Sequence, residues 1–249
     1  MSIAAHVGWT VPHYIPPPDP LPVLLMHFDG DFVDATGNTT FSGGGQGTAF
    51  DFVTGSPGFG QAVLSSGNSS IAGASSIQLG LAGQPFTFEG RCVFGEGDSV
   101  GVVLAKNYFS TEPAPGGFKI DFVLFAGPGY FRLEWSGGGI GKQVDFDYSA
   151  VAPGVEFSWA ITDDMTTSRA YVGGVLVDSN LSVALAASPP SNSTAAVSVL
   201  NALQGFSGPS PNWGGQGFRG QLDELRYTLG YALYTGESYS VRSTPFTYP

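Results

Sequence analysis

The side chains able to do chemistry in this 249-residue chain are few and mostly acidic: 20 Asp and Glu stand against nine Lys and Arg, three His and one Cys. A hydroxyl nucleophile needs a histidine base within hydrogen-bond reach. His6, His13 and His27 all lie in the first 27 residues, so the body of the chain carries no such base. Cys92 sits in the alternating run from Phe86 to Phe94, on the side of Phe88 and Phe94. It is therefore expected to be a small buried residue rather than a thiolate, and a single cysteine forms no internal disulfide. So few Cys and His cannot furnish a zinc site. Glycoside hydrolysis asks for two carboxylates facing one cleft, roughly 5–10 Å apart. Asp223-Glu224, in GFRGQLDELRYTLG, is the obvious doublet. Neighbours on a regular strand face opposite sides, however. The doublet is expected to mark a β-bulge where the alternation of Phe218, Gly220 and Leu222 passes to Leu225 and Tyr227. Asp145 and Asp147 share a face, as do Lys119 and Asp121, and both pairs are expected to meet solvent.

Oxygen-rich loops are the places where a cation could bind. Asp29, Asp31, Asp34 and Asn38 cluster in one loop, but Phe32 and Val33 interrupt them and no bidentate Glu closes the set. Asx-rich turns of this kind ordinarily cap backbone amides, and the same holds for Asp163-Asp164 at a strand end. No metal or other cofactor is expected. Sugar recognition would use an exposed aromatic ring beside an amide. Asn212 and Trp213 in GPSPNWGGQG fit that description, with Asn107 and Tyr108 as a second pair.

The bulk composition narrows the partners. Only 12% of residues are charged and the net charge is −11, which leaves no basic patch for phosphate neutralisation or for an anionic membrane surface. Neither nucleic-acid binding nor membrane insertion is expected, since no apolar run nears the roughly 20 residues of a span. The first cationic residue is Arg91, so a signal peptide with a charged start is not expected, and synthesis in a host cytoplasm is.

These residues must be positioned by elements, and the elements read as strands. Residues 1–22 differ from the rest: Trp9, Val11, Tyr14 and Ile15 are interleaved with six prolines between Pro12 and Pro22. That composition stiffens the stretch towards polyproline II and predicts an extended arm, lying on its own domain or packing on a neighbouring subunit. From Val23 onward short alternating runs are separated by Gly-, Ser- and Pro-rich turns. Strands are predicted at VLLM from Val23, at 46–52, 61–66, 85–94 and 100–105. Others follow at 117–125, 130–135, 144–148, 155–162, 168–177, 195–200 and from 217. Within 168–177, Gly173-Gly174 should form the tip of a hairpin. The continuous apolar run at 100–105 predicts a strand covered on both faces. About a dozen strands and no convincing helix longer than two turns predict one all-β domain, a two-sheet antiparallel sandwich.

The order of these pieces is similar to that of a known family. LLMHFDG, FTFEGRCVF, EFSWAIT, RAYVGGVLVDS and FRGQLDELRYTLGYALYT together resemble the laminin G-like branch of the concanavalin A-like lectin/glucanase fold, over about Val23 to Pro249. Chains with LLMHFDG at one end and LDELRYTLGYALYT at the other look especially like bacteriophage virion and tail proteins. The resemblance implies a jelly-roll β-sandwich. AVLSSGNSSIAG lacks the acidic pair often found in such proteins, and FSW lacks a following histidine, which weakens transfer of a metal site. Catalytic members carry Glu-x-Asp-x-x-Glu on one strand, and that motif is absent.

The chain is therefore expected to be a non-enzymatic virion structural protein, a capsid decoration or tail component present in multiple copies. Its arm, through Trp9, Val11, Tyr14 and Ile15, would contact other virion proteins, and its sandwich would expose a lectin-like surface to host-cell glycans. A free carbohydrate-binding module and a glycoside hydrolase of the same fold are the competing readings.

Overall fold

The computed structural model describes residues 20–42, 50–67, 71–75, 83–95, 101–106, 122–127, 129–137, 140–148, 151–183, 197–200 and 217–248. Their elements are all strands: β1 Leu24–Met26, β2 Thr39–Ser42, β3 Asp51–Thr54, β4 Gln61–Ser66, β5 Ile71–Ser75, β6 Phe86–Phe94, β7 Gly101–Lys106, β8 Phe122–Gly127, β9 Gly129–Gly137, β10 Ile140–Tyr148, β11 Glu156–Asp163, β12 Thr167–Val172, β13 Val175–Leu181, β14 Val197–Val199 and β15 Arg219–Leu229. They form two antiparallel sheets. The larger runs β13-β12-β11-β6-β15-β4-β3, and β1 also pairs with β15; the smaller runs β10-β9-β8-β7-β14-β5-β2. This is the expected jelly-roll sandwich, with sequence-distant strands as neighbours in both sheets.

The core lies between the inner faces. Phe86, Phe88, Trp159, Ile161, Leu222, Leu225 and Tyr227 from the larger sheet meet Val103, Leu104, Phe131, Leu133, Phe146, Val197 and Val199 from the smaller. The Trp159 and Phe131 rings, 5.3 Å apart, join the two layers near the centre. Each large apolar side chain buried here stabilises the fold by about 1.5–3 kcal/mol relative to leaving it in water. Along one side the layers are tied by polar contacts: the Asp147 amide donates to Asp178 at 3.0 Å, and the Asn180 side chain donates to the Asp145 carbonyl at 3.3 Å.

Most strand expectations hold within a residue or two where the residues are described. Gly173 and Gly174 take φ of +58° and +79°, as a two-residue primed turn demands, and Val172 pairs with Val175 across them. The apolar run in β7 is buried at Val102, Val103, Leu104 and Ala105 alike. Cys92 is buried, and Asp145 and Asp147 are exposed. Two strands have no counterpart in the sequence expectation, β2 and β5. TTFS and IAGAS alternate weakly; they become strands by pairing with each other, and β5 also pairs with β14. The strand predicted at 46–52 appears as β3, starting at Asp51. Residues 1–19 of the arm, and so Trp9, Val11, Tyr14 and Ile15, lie outside the described residues.

After β15 the C-terminal tail carries no alternating core pattern in its sequence. It forms a strap over the outer face of the larger sheet. Gly230 donates to the Pro85 carbonyl, and the Thr87 hydroxyl donates to the Tyr231 carbonyl. Tyr234 bonds Glu89 on β6. Further along, the Gly236 carbonyl accepts from Tyr171 on β12, and the Glu237 carbonyl accepts from Leu176 on β13. The strap then doubles back, its Arg242 carbonyl accepting from Arg91 and its Phe246 amide donating to Glu224 on β15.

Candidate functional site

The side chains with the most unusual surroundings sit where β15 changes partner. Its first half pairs with β4 through Arg219–Leu222 and its second half with β1 through Leu225–Tyr227. Between them the register on β6 slips: Leu222 faces Cys92 and Leu225 faces Gly90, so Asp223 and Glu224 together oppose Arg91. This is the β-bulge expected from the doublet. The bulge keeps Leu222 and Leu225 both inward, and it turns both carboxylates outward, on the side of Arg91. The expectation that Asp223 and Glu224 face opposite sides is thereby corrected, because strict alternation fails where two residues occupy one ladder position. Gly90 makes room for the bulge: a Cβ there would run into the Glu224 carbonyl oxygen and come within 3.1 Å of the Trp159 ring.

Both carboxylates are buried, with Asp223 3% and Glu224 0% exposed. His27, directly after β1, donates Nδ1–H to Glu224 Oε1 at 2.8 Å, and Glu224 Oε2 accepts the Phe246 amide at 3.0 Å. Asp223 Oδ2 accepts the Ser56 amide at 3.1 Å, while Oδ1 is buried without a hydrogen-bond partner. Burial pushes the Asp223 carboxyl up to about 7; the Ser56 amide opposes the shift, and the charges of Glu224 and Glu156 add to it. The hydrogen bond to Glu224 raises His27 above its ordinary range against the opposite pull of burial, and the charges of Glu224, Asp29 and Asp223 act in the same upward direction. The cluster therefore holds protons at a pH where isolated carboxylates have lost theirs. Sequence reasoning set His27 aside as remote from the body of the domain. Its partner is 197 residues away, and no local spacing signals such a contact.

A second buried network adjoins the first. Arg226 donates Nε–H to Glu89 Oε1 at 2.7 Å, Tyr234 donates its hydroxyl to Glu89 Oε2 at 2.8 Å, and the Arg226 guanidinium lies 4.2 Å from the centre of the Phe246 ring. Burial raises the Glu89 carboxyl, and the charge of Arg226 opposes that shift. Tyr234 and Tyr239 stack at 3.8 Å over this region. Two shallow pockets open nearby. One, about 300 Å³ with its open mouth, is lined by Arg91, Tyr234, Tyr239, Arg242 and Phe246 among others. The other, about 170 Å³, includes Ser56, Glu156, Gln221 and Asp223. Much of each volume is open solvent, so neither is a formed cavity of the roughly 300–1,000 Å³ that ligand sites usually measure.

The remaining acidic clusters serve the backbone. Asp34 accepts the amides of Leu25, Thr36 and Thr39, Asp29 accepts that of Gln61, and Asp31 that of Val33. Asp163 accepts the amides of Met165 and Val183, and Asp164 those of Thr166 and Thr167. This is the capping role expected of such turns. Among the described residues, no group of three or more His, Cys, Asp or Glu side chains is placed to hold a metal ion. The sugar-binding candidates Asn212, Trp213, Asn107 and Tyr108 lie outside the described residues.

No family model matches this chain, and no curated protein does. Solved structures share its fold. Domain 4 of AbnA, a GH43 extracellular arabinanase from Geobacillus stearothermophilus, in complex with arabinotriose, is 18% identical with a TM-score of 0.58, covering 86% of this chain and 94% of that one. The binding domain of botulinum neurotoxin serotype D is 13% identical with a TM-score of 0.57 over 86% of this chain. A structure of botulinum neurotoxin type C, whose cell entry depends on interaction with two ganglioside molecules, is 12% identical with a TM-score of 0.55 over 87% of this chain. This chain spans about half the length of the two neurotoxin structures, 48% and 49%. At such identities the likeness is one of fold, the two-sheet antiparallel β-sandwich.

Proposed function

We propose that this chain is a non-enzymatic, lectin-like binding domain displayed in multiple copies on a bacteriophage particle, as a capsid decoration or tail component. The observation that carries the binding role is its likeness, over nearly the whole of both chains, to an arabinanase domain seen with arabinotriose. On this reading the sequence neighbours Asn212 and Trp213, with Asn107 and Tyr108, are the aromatic and amide pairs that would stack on and hydrogen-bond to a sugar ring. The virion setting rests on the resemblance of LLMHFDG and LDELRYTLGYALYT to phage virion proteins, and on the apolar, proline-rich arm. Support for a non-enzymatic role comes from the burial of the doublet: Asp223 and Glu224 are 3% and 0% exposed, and each accepts a backbone amide, that of Glu224 coming from the strap.

A glycan array with the purified chain tests the binding role. Retention of specific glycans, lost on Trp213→Ala, is the expected result; no retained glycan, or retention unchanged in that variant, overturns this assignment of the site. For the particle role, assembled phage should contain the chain with residues 1–22 packed on another virion protein. An arm lying only on its own domain would count against it. Polysaccharide turnover abolished by replacing one Asp or Glu would favour a glycosidase instead.

A further inference from the structure

We propose that Asp223, Glu224 and His27 form a proton-operated catch that holds the C-terminal strap, residues 231–248, shut over the outer face of the larger sheet and lets it lift when the protons leave. The inference is independent of glycan binding.

The geometry supplies the parts. The bulge places two carboxylates side by side on one face of β15. One of them, Glu224, holds the strap directly through the Phe246 amide. The other, Asp223, keeps Oδ1 buried without a partner, an arrangement that favours the neutral acid over the anion. His27 closes the cluster from the end of β1. With Asp223 neutral and His27 protonated, the imidazolium balances the Glu224 carboxylate. Once both protons are lost, two adjacent anions lie buried with no cation bonded to either. Lifting the strap's second half, which carries Phe246 and has no strand structure of its own, admits water to Glu224 and so relieves its repulsion with the adjacent Asp223.

Of the other charged groups facing the cluster, Glu156 raises the Asp223 carboxyl and Arg91 lowers it. Arg91 on β6 pairs with Glu156 on β11, and Arg226 on β15 pairs with Glu89 on β6. Asp29, after β1, adds negative charge next to His27, and Arg242 on the strap lies 5.6 Å from the Phe246 ring. Asp223 titrates near 7 when covered, against 3.8 ordinarily. Ionisation of Asp223 puts a second anion beside Glu224, which makes the contact with the strap, so the cluster's hold weakens progressively as pH rises from about 4 to about 7. His27, also raised, extends the loss above 6.5.

Hydrogen exchange tests the catch in the full chain. The protection of the Phe246 amide is compared with that of the Ile161 amide in β11 at about pH 5.5 and about pH 8.5, each corrected for its intrinsic exchange rate. The expected result is a loss of Phe246 protection of about tenfold or more across that interval, with Ile161 changing much less. Asp223→Asn, which cannot ionise and still accepts from Ser56, should remove most of the dependence. Constant Phe246 protection overturns the proposal. So does a loss shared equally by Ile161, or a full dependence retained in Asp223→Asn. If that variant fails to fold, the two-amide comparison in the wild-type chain decides alone.

Discussion

Around the bulge both faces of β6 and β15 carry buried side chains, and they are held in opposite ways. Inward, Phe88, Leu222, Leu225 and Tyr227, with Trp159 of the neighbouring β11, meet the second sheet, and removal of apolar area from water stabilises them. Outward, Thr87, Glu89, Asp223, Glu224 and Arg226 are 0–3% exposed, and there burial by itself is costly. That face is stable because the partners are in place: Arg226 for Glu89, His27 and the Phe246 amide for Glu224, the Ser56 amide for Asp223. The strap supplies the Phe246 amide to Glu224 and the Tyr234 hydroxyl to Glu89. The inner face would survive loss of the strap; the outer face depends on it.

The contrast is open to direct attack. Arg226→Ala leaves the Glu89 carboxylate buried beside Tyr234, and should lower unfolding stability by about 3–5 kcal/mol in urea denaturation. Replacing Arg226 and Glu89 together by Met and Leu should recover most of that loss, because no uncompensated charge then remains. On the inner face Trp159→Ala should cost about 3–5 kcal/mol through the cavity it leaves. If the double replacement on the outer face remains as unstable as Arg226→Ala, the proposed difference between the faces is wrong.

Smaller effects sharpen the boundary between the faces. Gly90→Ala pushes a methyl group at the Glu224 carbonyl and the Trp159 ring together, and should cost about 1–3 kcal/mol by overpacking, read as a shift in the urea midpoint at unchanged slope. The smallest expected effect is that of pH. Asp223 and His27 are both raised in the folded chain, so the native state binds more protons than the unfolded one and stability falls as pH rises. Between about pH 6 and pH 8 the loss should be roughly 1–2 kcal/mol, and Asp223→Asn should flatten it. A stability that rises over this interval would contradict the assignment.

How much of this was legible in the sequence varies by residue. Val155 to Thr162 alternates cleanly and became β11; Gly173-Gly174 marked its hairpin; Leu222-Asp223-Glu224-Leu225 announced the bulge. Each depends on neighbours in sequence, where period and turn chemistry act. β2 and β5 were missed because TTFS and IAGAS take their shape from each other across the sheet. Thr87 and Glu89 look like solvent-facing positions of a half-buried strand. Nothing local says that Leu233 and Tyr234, some 145 residues later, will cover them.

By itself the sequence determined that the chain would be an all-β sandwich, because alternating apolar residues and glycine turns leave a strand few other ways to hide one face. It also determined that a bulge would interrupt the last strand. The tertiary structure alone decided that both bulge carboxylates turn to one side, that His27 meets Glu224 and that the tail seals a polar layer. Those outcomes follow from strand order and from long-range hydrogen bonds, which bring together groups that no sequence period connects.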